Sequence, residues 1–105
     1  MQHKRLKTIE KQIRGVKREL GRIGPMRPGS LTCQYKSPKE KKGAFYQLSY
    51  THNMKSRTEY VRKEFVRDLQ RQIANYRRFR VLTKRWVDLA IEYSRESIAF
   101  ADKIM

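Results

Sequence analysis

Acidic residues are scarce in this chain of 105 residues: 10 Asp and Glu stand against 26 Lys and Arg, a formal net charge of +16. Such an imbalance repels itself in any compact state and calls for a polyanionic partner. Cysteine is nearly absent, and the single Cys33 excludes both an internal disulfide and a cysteine-based zinc site within one chain. The two histidines, His3 and His52, do not complete a ligand set. No run of 18 apolar residues exists to span a bilayer. The basic start, Met1 to Arg5, is followed by no apolar stretch, so no secretory signal is expected. The expected compartment is the cytoplasm, with nucleoid association if the chain is bacterial. Hydrophobic residues are also few, at 38%, so the core must be modest. Aromatic residues reach 10%, which argues against a disordered basic tail.

The positive charge has a location. Residues 1–85 hold 24 basic and 6 acidic side chains, a net +18. Residues 86–105 carry a net −2. This asymmetry separates a binding part from a packing part.

Periodicity divides the chain into three segments that together form one expected domain of α+β class. Residues 1–24 are a helix with a heptad seam: Leu6, Ile9, Ile13, Val16, Leu20 and Ile23 recur at alternating spacings of 3 and 4. That narrow stripe asks for one partner helix, in this chain or in a second copy. Residues 25–61 are a connector and a small antiparallel sheet of three strands: 31–36, 45–51 and 56–61. Tyr46, Leu48 and Tyr50 share one face of the middle strand; Phe45, Gln47, Ser49 and Thr51 share the other. His52-Asn53-Met54-Lys55 reads as the turn into the last strand, with Asn53 tolerating a positive φ. Residues 62–105 are a long helix, continuous or in two segments, because positions 62–104 contain neither Gly nor Pro. Part of that helix must cover the sheet, and part must meet the first helix or a partner chain.

Catalysis finds little support. The sequence has no glycine-rich phosphate loop, no metal-ligand spacing and no nucleophile elbow. No catalytic residue, no metal and no cofactor is assigned. A metal-dependent nuclease would need Glu59, Glu64 and Asp68 to converge near the junction of sheet and helix. Glu64 and Asp68 are more simply read as complements to a helix N-terminal dipole.

Polyanion binding finds more. Lys36, Lys39, Lys41, Lys42, Lys55, Arg57, Arg62 and Lys63 fall on the sheet, its loops and the start of the long helix. Gln47, Ser49 and Thr51 lie among them, and side chains of these types reach base edges. Lysine and arginine neutralise phosphates and release counterions. A second basic cluster, Arg77, Arg78, Arg80, Lys84 and Arg85, lies on the long helix. Trp86 and Tyr76 fall at core spacing within the same helix.

Three strings carry a family resemblance: Met26 to Tyr35 (MRPGSLTCQY), Gly43 to Tyr50 (GAFYQLSY) and Tyr60 to Val66 (YVRKEFV). They resemble a family of small basic bacterial proteins with a P-G-S-L-x-x-Q-Y core, then G-x-[FY]-Y-Q-L-S-Y and Y-V, over roughly residues 20–95. Many such relatives carry a cysteine-rich insertion after the Q-Y pair. Here Lys36 to Lys42 stand in its place, so no metal role is carried over. The resemblance implies an accessory protein of mobile elements and supplies no catalytic residue.

The expected function is therefore non-catalytic nucleic-acid binding. Double-stranded DNA is favoured over structured RNA, because a small braced sheet suits a major groove. The alternatives are a coiled-coil adaptor, as a homo-oligomer or as a subunit of a larger nucleoprotein complex, and a metal-dependent nuclease. A membrane partner is not expected.

Overall fold

In a computed structural model, the chain is described over residues 2–104, with side chains from Lys4 onward. The outermost positions of the expected segments, Met1 and Met105, lie outside that range. The order is helix α1 (Gln2–Gly21), strands β1 (Ser30–Ser37), β2 (Lys42–His52) and β3 (Lys55–Val61), a 3-10 turn (Lys63–Phe65) and helix α2 (Val66–Ile104). The class is α+β, with the single three-stranded antiparallel sheet ordered β1-β2-β3. The long helix is continuous. Without Gly or Pro, nothing in its backbone interrupts the hydrogen-bond ladder over 39 residues.

The chain forms two compact units, and the division between them falls inside α2. The first comprises residues 1–23 and 78–105. Here Ile9, Val16, Leu82 and Leu89 are buried together, with Ile13, Leu20, Ile23, Trp86 and Tyr93 packed on them. The heptad seam of α1 thus finds its partner within the same chain. Leu6, at its start, is half-buried. Arg5 pairs with Glu92, Glu10 accepts from the Tyr93 hydroxyl at 3.0 Å, and Glu19 meets Arg78 at 3.3 Å. From Arg5–Glu92 to Glu19–Arg78 the numbers rise on one helix and fall on the other, so the two run antiparallel. Lys17 lies 5.0 Å over the Trp86 ring, a cation–π contact that uses the indole within this unit.

The second unit is residues 24–77. Leu48, Val61 and Ile73 form its buried centre, with Leu31, Tyr46, Tyr50, Val66 and Leu69 around them. The first turns of α2 therefore cover one face of the sheet, as the strand alternation requires. Gly29 is essential to this packing. Its φ is +142°, and a Cβ there would sit 2.7 Å from Leu48 Cδ1 and 3.0 Å from the Ser49 carbonyl oxygen. The connector is tied down by its backbone: Asn75 Nδ2 donates to the Pro25 carbonyl at 2.8 Å, and the Arg27 amide donates to the Gln72 carbonyl at 3.1 Å.

Candidate nucleic-acid interface

The sheet has two chemically different faces, and strand register decides which residue joins which. β1 and β2 pair Leu31 with Leu48 and Thr32 with Gln47. β2 and β3 pair Leu48 with Glu59, Gln47 with Tyr60 and Tyr50 with Arg57. Residues directly opposite one another point to the same side. The covered side therefore takes Leu31, Cys33, Tyr35, Tyr46, Leu48, Tyr50 and Val61. The other side takes Thr32, Gln34, Phe45, Gln47, Ser49, Thr51, Ser56, Thr58 and Tyr60. No acidic side chain lies on that second face.

The open face carries mostly hydroxyl and amide side chains, with the two aromatic rings of Phe45 and Tyr60 among them. Ser49 and Thr58 hydroxyls lie 3.3 Å apart, and those of Thr51 and Ser56 lie 2.8 Å apart. These cross-strand bonds order one end. At the other end Phe45 and Tyr60 lie diagonally across β2 and β3, with centroids 6.4 Å apart and planes tilted by 31°. Tyr60 is 70% exposed.

One grouping from the sequence is corrected. Lys55 and Arg57 were expected beside Gln47, Ser49 and Thr51 on one surface. They stand on the opposite face, because the β2–β3 connection has only two residues, Asn53 and Met54. His52 therefore pairs directly with Lys55 and Tyr50 with Arg57. Asn53 and Met54 both have positive φ, 53° and 65°, the form of a type I′ turn. Lys55 and Arg57 remain exposed, at the tip beside the turn.

The other sequence-assigned cations surround the sheet. Lys36 lies in the last two residues of β1, Lys42 begins β2, and Lys39 and Lys41 occupy the turn between those strands. Arg62 and Lys63 follow β3. Among the described residues, Lys36, Lys39, Lys41, Lys55, Arg57, Arg62 and Lys63 form no salt bridge. Lys42 approaches Glu40 at 3.8 Å. The second cluster is less uniform. Arg77 belongs to the unit with the sheet, and Arg78, Arg80, Lys84 and Arg85 belong to the helical unit. Arg78 is engaged by Glu19 at 3.3 Å, and Lys84 by Asp88 at 3.1 Å. Those two cations have structural partners.

A polar cluster that the sequence did not point to lies on the covered side. Arg27 Nη2 donates to Glu59 Oε2 at 2.9 Å, and the Tyr50 hydroxyl donates to Glu59 Oε1 at 2.9 Å. The Arg27 guanidinium also lies 4.7 Å over the Tyr50 ring. The hydrogen bond from Arg27 holds the Glu59 carboxyl below its ordinary range, and the bond from Tyr50 adds to this. The Arg27 guanidinium is held more firmly protonated by the same bond. Glu59 is thus occupied as a structural anion. No group of three His, Cys, Asp or Glu residues able to hold a metal ion exists among the described residues. Nor, among them, is any helix long and apolar enough to cross a membrane.

No curated protein and no solved structure shows a significant match to the chain. A family model does match, over residues 4–71, a span that includes nearly all of α1, the whole sheet and the start of α2. On that match the chain belongs to the family described as a domain of unknown function, DUF6788.

Proposed function

We propose that this chain is a non-catalytic nucleic-acid-binding protein that engages its ligand through the uncovered face of the sheet and the basic hairpin tips around it. The observation that carries the reading is the sorting of side chains. Hydrogen-bonding and aromatic groups occupy the open face, while unpaired cations occupy its ends and exits. Phosphate contacts position a protein on a polynucleotide, and neutral polar groups read the bases. The two kinds of group are segregated here in the way that division of labour needs.

Geometry permits a groove. Three strands at about 4.8 Å spacing span about 10 Å, against a B-DNA major groove about 12 Å wide. Structured RNA offers its loops instead, since its major groove is too narrow for side chains. The unit of residues 24–77 alone holds 12 lysines and arginines against 4 acids, so it carries a net +8 without the helical unit. The likeness of the three core strings to accessory proteins of mobile elements fits a role within a cytoplasmic nucleoprotein complex.

The test is binding of fluorescent DNA and RNA at a series of salt concentrations. Affinity should fall steeply as salt rises, roughly in proportion to the number of phosphates neutralised. The Lys55→Ala, Arg57→Ala double variant should bind several-fold more weakly. Binding that is absent or indifferent to salt would reject the reading.

A further inference from the structure

We infer that Phe45 and Tyr60 form a stacking platform for an unpaired base, so that the sheet's ligand is a polynucleotide with single-stranded character. This rests on the nucleic-acid reading above and narrows it. Two other aromatic side chains of the sheet are used differently. Tyr46 and Tyr50 join the packed centre of their unit. Tyr60 stays 70% exposed, while its neighbour Val61, which points to the covered side, is buried. An exposed tyrosine ring adds little to the stability of the fold beyond its contact with Phe45. Their planes are tilted by 31° at a centroid separation of 6.4 Å, so the rings do not cover one another face to face.

The surroundings match what a stacked base needs. Gln47 stands directly across from Tyr60, and Thr32 directly across from Gln47. The Gln47 side-chain amide is bonded to no described residue, which leaves its donors and its acceptor for a base edge. Arg62 follows β3 two residues after Tyr60 and is exposed, a cation placed for the phosphate next to such a base. A duplex presents only base edges in its grooves, whereas an aromatic ring stacks on a base face. That face is accessible only in an unpaired nucleotide.

The full chain should be titrated against a labelled single-stranded DNA of about 20 nucleotides and a duplex of the same sequence, at one moderate salt concentration. The single strand should bind about ten-fold more tightly than the duplex. Tyr60→Thr keeps strand propensity and should cost about ten-fold on the single strand, while Tyr60→Phe should bind as the parent does. Circular dichroism establishes that both variants keep the fold. Equal or tighter binding of the duplex overturns the platform, as does equal binding by the two variants. In either case, salt-dependent binding would leave the broader reading intact. Failure to bind any polynucleotide overturns both.

Discussion

Arg27 and Glu59 meet at 2.9 Å across 32 residues of sequence, joining the connector after α1 to the last strand of the sheet. The contact is partly exposed, and an exposed pair alone contributes little. Its value lies in geometry. Glu59 also accepts from Tyr50, and Arg27 also lies over the Tyr50 ring, so three side chains from three segments hold one arrangement.

Acid should loosen this arrangement only below the ordinary glutamate range. The Glu59 carboxyl titrates lower in the folded chain than in the unfolded one. Its contribution to stability is therefore complete above the unfolded pKa and is lost as pH falls through the folded one. An NMR titration should show the Glu59 inflection below that of an ordinary glutamate. Arg27→Gln should move the inflection upward, and Glu59→Gln should flatten the acid side of the stability profile.

Gly29→Ala should be among the most damaging single substitutions in the unit that contains the sheet. The new methyl meets Leu48, a fully buried side chain, and a backbone carbonyl, at a φ of +142°. A loss of about 2–3 kcal/mol in denaturant unfolding is expected, from overpacking and backbone strain together. A loss under about 0.5 kcal/mol, the level of an ordinary surface change, would contradict the packing.

Met54→Gly should stabilise. Met54 takes the second central position of a type I′ turn with φ of 65°, and its side chain is 98% exposed. The left-handed conformation costs a non-glycine residue about 1 kcal/mol, and the exposed side chain returns none of it through packing. Part of the gain is offset by the greater freedom of glycine in the unfolded chain. A rise of about 0.5 kcal/mol in unfolding free energy is the expected reading.

Ile9→Ala should cost about 2–4 kcal/mol, because Ile9 is fully buried against α2. Leu6→Ala should cost less, because Leu6 is only half-buried at the start of the seam. Thermal unfolding of the two variants side by side would measure the gradient.

The Lys39→Ala, Lys41→Ala variant should weaken polynucleotide binding with little regard to sequence. The slope of affinity against salt should fall by about one for each phosphate contact removed. An unchanged slope would place those lysines outside the interface.

Much of this architecture is legible from residue order alone. The alternation Tyr46, Leu48, Tyr50 against Phe45, Gln47, Thr51 identifies which side of β2 is covered, because a strand has a period of two. The spacing from Leu6 to Ile23 identifies a seam. Other features depend on register in space, which one strand read alone does not contain. The seam itself does not name Leu82 and Leu89 as its partners. Arg27 looks like one more cation until Glu59 is brought beside it. Tyr60 looks like a strand aromatic of no fixed side until Gln47 is placed opposite. The separation of Lys55 and Arg57 from Gln47 follows from the same pairing. The division of the chain within α2 leaves no mark in composition, because the helix is uninterrupted there.

The two-residue turn at Asn53 and Met54 has an evolutionary consequence. Adding or removing one residue there, with pairing otherwise kept, would invert every position of β3. Arg57 and Glu59 would move to the open side, and Thr58 and Tyr60 would turn toward α2. A change of loop length by one codon would exchange a neutral aromatic surface for a charged one without altering a single amino acid of the strand. Relatives that differ in length at this turn should therefore differ in ligand, even where their strand sequences agree.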